Sequence, residues 1–343
     1  MYREVTAAAC TALLTTFALT AAMRSFALTH GVLDVPNERS SHDAPTPRGG
    51  GVAIVVTTSI ALVALAWFGA LGRSLFWALL GGGVVVSSIG FLDDRRRVSA
   101  GVRLVAHVGA ALWAVMLLGG FSSLRVGAQI VHLGWSGNVL ALLGIVWAVN
   151  LFNFMDGIDG LAASEAVFVA WGAVLVYLIG TFSTLAPVAV IFGAACLGFL
   201  LWNWPPARIF MGDVGSGYAG YVIILLALAA ARENPVGLWL WLILGGVFFA
   251  DATVTLLRRL LRGERVYEAH RSHAYQWLAR RWGSHRKVTL AVLAVNLVWL
   301  LPCAVSAAAF PGYAALLVVV ALAPLAVLAV ALGAGRAETS TSA

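Results

Sequence analysis

The chain has 343 residues, of which 61% are hydrophobic and only 11% are charged, and its mean hydropathy is +0.91. About a quarter of the residues of a soluble domain are charged, so this composition excludes an ordinary water-soluble enzyme and predicts a chain that lies in a lipid bilayer. The net charge of +7 does not indicate a nucleic-acid partner, because the sequence has no basic patches with interleaved aromatic residues outside its apolar segments.

Apolar segments of about 20 residues recur along the chain, and each is long enough to cross ~30 Å of hydrocarbon as a helix. The sequence therefore predicts an all-α polytopic membrane protein with about eleven transmembrane helices. It forms one integral-membrane domain, 1–343, with a short polar tail at 335–343. The first segment is interpreted as a true span and not a signal peptide, because it is long and lacks a clear small-x-small cleavage site. The predicted spans are 5–28, 50–70, 74–92, 103–119, 138–154, 161–180, 185–203, 215–230, 236–258, 288–308 and 313–334.

The distribution of Lys and Arg orients these helices. With the N-terminus outside and the C-terminus in the cytoplasm, only Arg3, Arg73, Arg125 and Arg232 of the 22 Lys and Arg lie outside, in agreement with the positive-inside rule. The same orientation places nearly all acidic residues beside the cytoplasmic loops. A transporter carries polar groups along a path through the membrane. Here they gather at one surface, which favours a reaction between a water-soluble substrate and a lipid.

The first cytoplasmic loop and the end of the third span carry the first candidate residues. The loop reads PNERSSHDAPTPRGGG (36–51), and its prolines and serines indicate ordered turns around Arg39 and His42. The third span ends in GFLDDRRR (90–97), with adjacent carboxylates at Asp93 and Asp94. These carboxylates fit a solvated helix end that is balanced by arginines. They also fit a divalent-metal or lipid-phosphate site, since paired carboxylates attract Mg²⁺.

The end of the fifth span holds four polar groups within ten residues, in the stretch NLFNFMDGIDGL (150–161). Asn150 and Asn153 are three residues apart and therefore share a helix face. Asp156 and Asp159 follow beside glycines that allow a sharp turn. One cap is enough for a helix end, so four such groups predict the mouth of a binding site.

The stretch FMGDVGSGYAG (210–220) precedes the eighth span and places Asp213 among glycines, close to Gly215 and Ser216. Asp213 or Ser216 caps the helix, or free backbone N–H groups at the helix N-terminus bind phosphate while Asp213 holds Mg²⁺. A P-loop is excluded because no GKS or GKT follows.

The longest cytoplasmic loop contains EAHRSHAYQ (268–276). Its residues His270, Arg271 and His273 suit pyrophosphate oxygens or a sugar, whereas a zinc site would need an HExxH motif or cysteine partners. Asp251 lies inside the ninth span, where a carboxylate is costly. We therefore expect it to face the bundle, to have a polar partner and to be structural. No other ionisable side chain is expected as deep in a span.

Five of these stretches, in this order, resemble the motifs of the polyprenyl-phosphate N-acetylhexosamine-1-phosphate transferase family (glycosyltransferase family 4). Its members are membrane enzymes that start the assembly of peptidoglycan, O-antigen and teichoic acid. The resemblance covers roughly residues 30–280. The stretches are PNERSSHDAPTPRGGG, GFLDD, NLFNFMDGIDGL, FMGDVGSG and AHRSHAYQ.

The resemblance implies transfer of a sugar-1-phosphate from a UDP-sugar to undecaprenyl phosphate, with release of UMP. It also implies Mg²⁺ as cofactor (Mn²⁺ substituting) and an active site on the cytoplasmic side of the bacterial inner membrane. The implied catalytic residues are Asp93, Asp94 and Asp213, and the implied metal ligands are Asn153 and Asp213. Asp159 would read the uracil. The implied substrate-binding residues are Asn150, Asn153, Asp156, Asp159, Gly215, Ser216, His270, Arg271, His273, Arg39 and His42.

The final motif narrows the implied donor. HRSHAYQ resembles the O-antigen branch that uses UDP-N-acetylfucosamine, UDP-N-acetylquinovosamine or a related 6-deoxy sugar, and differs from the triple-histidine and HIHH forms of other branches. We therefore expect an N-acetylated 6-deoxy hexosamine for an O-antigen-like or cell-envelope polysaccharide. A member specific for UDP-GlcNAc or MurNAc-pentapeptide is the first alternative, and a transporter or flippase of lipid-linked sugars is the second. A CDP-alcohol phosphatidyltransferase is disfavoured, because no arginine and no later aspartates follow Asp156-Gly157 in that family's pattern. A homodimer is left open.

Overall fold

The computed structural model of the protein describes residues 2–35, 45–96, 98–179, 184–264 and 270–337. Two π-helical turns, Ala78–Gly82 and Asn296–Leu300, and one 3-10 turn, Pro311–Tyr313, connect some of its helices. In chain order the elements are α1 (Tyr2–Thr29), β1 (Leu33–Asp34), β2 (Thr46–Pro47), α2 (Gly51–Trp67), α3 (Arg73–Trp77), α4 (Gly83–Arg96), α5 (Ala100–Leu118), β3 (Ser123–Val126), β4 (Gln129–His132), α6 (Trp135–Met155), α7 (Leu161–Ile179), α8 (Ala186–Asn203), α9 (Asp213–Glu233), α10 (Gly237–Leu244), α11 (Gly246–Leu261), α12 (Ala274–Trp282), α13 (His285–Val295), α14 (Leu301–Ala309) and α15 (Ala314–Leu332).

The helices confirm the prediction of an all-helical polytopic membrane protein. Among the described residues, nine helical segments are long and apolar enough to cross a membrane, and the bent pair α10–α11 makes a tenth. The predicted span 50–70 corresponds to α2, a shorter apolar helix of 17 residues. Each of the predicted spans therefore has an apolar helix at its place in the chain.

The centre of the bundle is α9, in which every residue from Val214 to Ala231 is buried. It packs against α2, α4, α6, α7 and α10, while α8 packs against α1, α2 and α7. Small residues along α9, such as Gly217 and Gly220, allow neighbouring helices to approach closely, as is typical of helix packing in lipid. The polar N-terminus of α9 therefore lies among the ends of its neighbours.

Three local features differ from the plain succession of helices in the prediction. The predicted ninth span is bent by 76° between α10 and α11, where the paired glycines Gly245 and Gly246 weaken the helix. The predicted loop 259–287 contains α12, and short antiparallel hairpins pair β1 with β2 and β3 with β4. The bend matters most, because α11 carries Asp251 toward the loop that precedes α12.

The structure also corrects the expectation that Asp251 is alone among ionisable residues deep in a span. Glu165, the fifth residue of α7, is completely buried. Its Oε2 accepts a 2.6 Å hydrogen bond from Nδ2 of Asn296 in the π-helical turn after α13. The pair connects α7 to the C-terminal helices. The sequence did not predict the contact between Glu165 and Asn296, because each is a single polar residue within an apolar segment.

Candidate active site

A close crossing of α4 and α9 brings Asp93 and Asp94 next to Asp213. A Cβ atom at Gly90 would lie 2.5 Å from the carbonyl oxygen of Asp213, so only glycine allows the two backbones to approach this closely. Gly212, just before α9, has a φ of 76°, and a Cβ there would lie 2.5 Å from Oδ2 of Asp94. The glycines of GFLDD and FMGD thus allow Asp94 to reach the start of α9.

Asp94 caps the N-terminus of α9 from the neighbouring helix. Its carboxylate accepts hydrogen bonds from the backbone N–H groups of Asp213 (2.9 Å) and Val214 (3.2 Å). The N–H groups of Gly215 and Ser216 donate to the carbonyl oxygen of Gly212. The expectation of free amides that cradle phosphate at this terminus is therefore not met, because a carboxylate and a carbonyl already satisfy the donors. The cap is also neither Asp213 nor Ser216.

Two arginines lie among the three carboxylates of Asp93, Asp94 and Asp213, which we call the carboxylate cluster. Arg48 places Nε 2.9 Å from Asp94 and Nη2 2.7 Å from Asp213. Burial opposes the charge of Arg48, but Asp94 and Asp213 outweigh burial, so the pKa of Arg48 is raised. Arg103, in α5, places Nη1 2.7 Å from Asp93 and 3.6 Å from Asp213.

The two arginines were not among the predicted site residues. Arg48 stands in the TPRGGG end of the first loop, and its place inside the motif 36–51 was the only signal for it. Arg103 lies ten positions after Asp93 on the next helix, and nothing in the sequence marks it apart from its charge.

Asn153 belongs with the carboxylate cluster, whereas Asn150 faces another helix. The side chain of Asn153 lies beside the carboxylate of Asp213, and its Nδ2 donates a 3.2 Å hydrogen bond to Oγ of Ser216. Nδ2 of Asn150 donates to the carbonyl oxygen of Val146 and lies 3.4 Å from Nδ1 of His107 in α5. The two amides of the motif therefore have different surroundings, although they are close on the helix.

Asp156 and Asp159 follow α6 in the turn that leads to α7. Burial raises the pKa of Asp156 well above its usual range, and Asp213 and Asp94 add to this rise while Arg48 opposes it. The carboxylate of Asp159 accepts from the N–H of Ala207 (3.0 Å) and lies 3.3 Å from Nδ1 of His285. In this structure Asp159 thus holds two segments of the chain together, and its role as a uracil reader stays a prediction.

The segment His270–His273, called the HRSH segment below, lies beside the end of α6. Its His270 and Arg271 are half-buried, whereas His273 is only 2% exposed. Nδ1 of His273 lies 3.3 Å from Oδ1 of Asp251, which confirms that Asp251 is buried with a polar partner. Burial and the neighbouring His273 and Arg259 lower the pKa of His270 to about 3, so its ring is neutral at physiological pH.

Comparison with known proteins identifies the family. The family model "Glycosyl transferase family 4" matches residues 76–231. The "Probable undecaprenyl-phosphate N-acetylglucosaminyl 1-phosphate transferase" of Bacillus subtilis (strain 168) is 29% identical over 300 residues, which cover 86% of this chain and 83% of the relative. The phospho-N-acetylmuramoyl-pentapeptide-transferase of Moorella thermoacetica is 32% identical over 251 residues, covering 67% of this chain and 75% of the relative. The chain belongs to the polyprenyl-phosphate hexosamine-1-phosphate transferase family.

A mycobacterial relative extends the similarity over most of the chain. The decaprenyl-phosphate N-acetylglucosaminephosphotransferase of Mycobacterium tuberculosis (strain ATCC 25618 / H37Rv) is 29% identical over 321 residues, 84% of this chain and 79% of the relative. The region matched by the family model contains the carboxylate cluster and Asn153, but neither Arg48 nor the HRSH segment. Of the predicted residues, Arg39 and His42 lie outside the described part of the chain.

The donor atoms of the site suit the magnesium ion that this family implies. Carboxylate and amide oxygens are the ligands Mg²⁺ prefers, and Asn153 and Asp213 supply them beside Asp93 and Asp94. Within the described ranges, no three His, Cys, Asp or Glu side chains converge as a ready metal cage. Arg48 and Arg103 instead form ion pairs with these carboxylates.

Proposed function

We propose that the chain transfers an N-acetylated hexosamine-1-phosphate from a UDP-sugar to a polyprenyl phosphate and releases UMP. The observation that carries this proposal is the meeting of the carboxylate cluster with Arg48 and Arg103 at one end of the helix bundle. Such a site can hold a divalent cation and two phosphate groups. The family membership and the printed names of the relatives, which act on undecaprenyl or decaprenyl phosphate, support the same reaction class.

The distribution of Lys and Arg supports a cytoplasmic location for this end of the bundle, according to the positive-inside rule. A UDP-sugar dissolved in the cytoplasm and a phosphate at the membrane surface would meet there. Arg48, Arg103 and the HRSH segment all lie in or next to the loops assigned to that side.

The proposed reaction is an in-line displacement at the sugar-bearing phosphorus of the UDP-sugar. A phosphate oxygen of the lipid forms the new P–O bond, the P–O bond to the uridine-bearing phosphate breaks, and UMP leaves with the bonding electrons. The lipid phosphomonoester loses its second proton near pH ~6, so a general base adds little to its strength as a nucleophile. The larger barrier is the approach of two anions, and it is lowered electrostatically.

The residues of the site divide this work. Asn153 and Asp213 would hold Mg²⁺, with Asp93 and Asp94 beside them, and the bound ion would neutralise phosphate charge during transfer. Arg48 and Arg103 supply the further positive charge that two phosphate groups require, and their planar guanidinium groups suit phosphate oxygens. Asp94 keeps the N-terminus of α9 in place, so it acts by positioning and not by taking a proton.

The HRSH segment supports the choice of donor. Because His270 is neutral, it would bind the donor through hydrogen bonds, whereas Arg271 would bind through charge. The motif favours a 6-deoxy N-acetylhexosamine by resemblance, and the relatives' names point to N-acetylglucosamine or to N-acetylmuramoyl-pentapeptide as the alternative donors.

A donor panel tests the proposal. The purified protein is incubated with undecaprenyl phosphate, Mg²⁺ and one UDP-sugar at a time. The donors are UDP-N-acetylfucosamine, UDP-N-acetylquinovosamine, UDP-N-acetylglucosamine and UDP-MurNAc-pentapeptide. The lipid products are identified by mass spectrometry. We expect UMP and a lipid pyrophosphate sugar from at least one donor. Asp213→Asn should yield neither, while Glu264→Gln, which alters an acidic residue paired with Arg259 and Arg262, should match the wild type. Absence of UMP with every donor would contradict the proposal and favour a transporter.

A further inference from the structure

We propose that Asp251 is a positioning residue that forms one buried unit with His273 and thereby fixes the HRSH segment for binding of the UDP-sugar. The inference rests on the proposed function, because it concerns how the donor is held. Nothing in the sequence motifs assigns Asp251 to the reaction.

The carboxylate of Asp251 is surrounded by hydrogen-bond donors. Oδ1 accepts from the N–H of Ala274 (2.9 Å) and from Oγ1 of Thr255 (3.1 Å), and lies 3.3 Å from Nδ1 of His273. Oδ2 accepts from the N–H of Tyr275 (3.0 Å). Asp251 is 5% exposed. A buried carboxylate is tolerated only when it is satisfied in this way, so its four donors are fixed relative to α11.

Helix capping alone does not explain this arrangement. The side chain of Gln276 already accepts from the N–H of His273 (3.2 Å) at the start of α12, which is one half of a capping box. A local Ser, Thr, Asp or Asn is the usual way to satisfy the first amides of a helix. Here the carboxylate comes from a different helix and also binds an imidazole ring, which indicates that the position of the ring matters.

The ring of His273 supports the half-buried part of the HRSH segment. With Nδ1 donating to Asp251, the ring is held in one orientation, and it stacks on His270 with 5.0 Å between centroids. The centroid of the Phe154 ring lies 6.3 Å from that of His273 and 6.4 Å from that of His270. Nε2 of His273 is buried and has no hydrogen-bond partner among the described residues. His273 therefore supports the ring of His270, which is the more exposed of the two rings.

The same unit extends to the turn that carries Asp156. The hydroxyl of Tyr275 donates to the carbonyl oxygen of Phe154 (2.9 Å) at the end of α6. It also packs on Gly157, where a Cβ atom would lie 2.1 Å away. Since Asp251 holds the N–H of Tyr275, a shift of α12 would move contacts on both the HRSH segment and this turn. A displacement of about 1 Å in a positioning element costs up to ~100-fold in rate.

The kinetic signature of this role is a loss of donor affinity. Asp251→Asn replaces an acceptor oxygen with an amide group, which cannot accept from all the donors that now face the carboxylate. We expect the KM for the UDP-sugar to rise at least about tenfold, while the KM for the lipid stays within about twofold. Thr255→Val and Gln276→Ala serve as matched controls, because they remove neighbouring hydrogen bonds and leave the Asp251–His273 contact in place. We expect both controls to stay within about threefold of the wild type.

Variants of His273 separate positioning from substrate contact. Asn carries an amide N–H close to the place of Nδ1 and lacks any counterpart of Nε2. Asn also lacks the ring that stacks on His270. We therefore expect His273→Asn to raise the donor KM less than His273→Ala does, and His273→Ala to raise it as Asp251→Asn does. The double variant Asp251→Asn/His273→Ala should be no worse than the poorer single variant, because residues that act as one unit are not additive.

Three results would overturn the inference. The first is a double variant in which the KM increases of Asp251→Asn and His273→Ala multiply. The second is a KM increase in the Thr255 and Gln276 controls equal to that of Asp251→Asn, and the third is a KM increase in His273→Asn as large as in His273→Ala. If Asp251→Asn does not fold, the comparison of His273→Asn with His273→Ala decides the question. A wild type that releases no UMP would instead contradict the proposed function, so the two failures are distinguishable.

Discussion

Removal of Arg48 should make the protein bind Mg²⁺ more tightly while it impairs turnover. Arg48 bridges Asp94 and Asp213 at 2.9 and 2.7 Å, and these are the carboxylates beside or within the proposed metal site. A cation that binds there must compete with the guanidinium group for the same oxygens. Arg48→Ala removes that competitor and, at the same time, a charge that the phosphate substrates need.

The structure sets the size of the effect. Hydrogen bonds to charged groups contribute ~1.5–3 kcal/mol each. The side chain of Arg48 is 31% exposed, so solvent screening reduces the two bonds to roughly 2–4 kcal/mol together. When Mg²⁺ displaces Arg48, the guanidinium group regains part of this energy in solvent, so the net cost to Mg²⁺ is smaller. A free energy of 1.4 kcal/mol corresponds to a factor of ~10 in affinity. We therefore expect the Kd for Mg²⁺ to fall at least about tenfold in Arg48→Ala.

The assay is a Mg²⁺ titration of the detergent-solubilised protein without substrates, followed by calorimetry or by thermal stability. Arg48→Lys should be intermediate, because a single ammonium keeps the charge but cannot bridge two carboxylates as a planar fork does. Arg95→Ala is the matched control, since Arg95 stacks on Phe91 in α4 and has no contact with the carboxylate cluster in the described structure. An unchanged or weaker Mg²⁺ affinity in Arg48→Ala would refute the reasoning.

Three further predictions concern other parts of the site and the bundle. Asn153→Ala should abolish UMP release while the protein inserts and purifies normally, since it removes an oxygen ligand and the contact with Asp213; a turnover near the wild-type rate would contradict the metal assignment. Burial lowers the pKa of His270 to about 3 in the folded protein, whereas its unfolded pKa is ~6.5. Its contribution to stability is therefore complete above pH ~6.5 and is lost as the pH falls toward 3. Between pH 7.5 and 5, the wild type should lose more thermal stability than His270→Gln. Equal losses would argue against a neutral His270 ring. Glu165→Gln should retain the thermal stability, whereas Glu165→Ala should lose ~1–3 kcal/mol because the buried amide of Asn296 then lacks its partner; equal stabilities of the two variants would show that the pair is unimportant.

The sequence was sufficient for those features that depend on local composition. Apolar length alone predicted an apolar helix at the place of every span, although not α12. The alternation of loops placed Asp93, Asn153 and Asp213 at the same end, where the structure brings them together. The bend between α10 and α11 was not predicted, because two glycines inside an apolar run are common in membrane helices and do not by themselves specify an angle.

The features that the sequence did not predict are contacts between distant helices. Asp94 caps α9 from across the α4–α9 crossing, and no pattern in either segment announces a cap that comes from another element. Arg48 pairs with Asp94 and Asp213 across long stretches of chain. Arg103 pairs with the nearby Asp93 and also reaches the distant Asp213. The contact of Asp251 with His273 was expected only as an unnamed polar partner. In each case the residue type was informative, and its partner required the fold.

The transfer of phosphorus with the sugar is the most direct test of the account. The donor is a UDP-sugar that carries a ³²P label on the sugar-bearing phosphorus, and it is incubated with the purified protein, undecaprenyl phosphate and Mg²⁺. The account predicts that the label moves to the lipid while unlabelled UMP is released, and that Asp213→Asn transfers none. Label that remains with the nucleotide as UDP, together with a lipid that gains only the sugar, would contradict the proposed phosphoryl transfer.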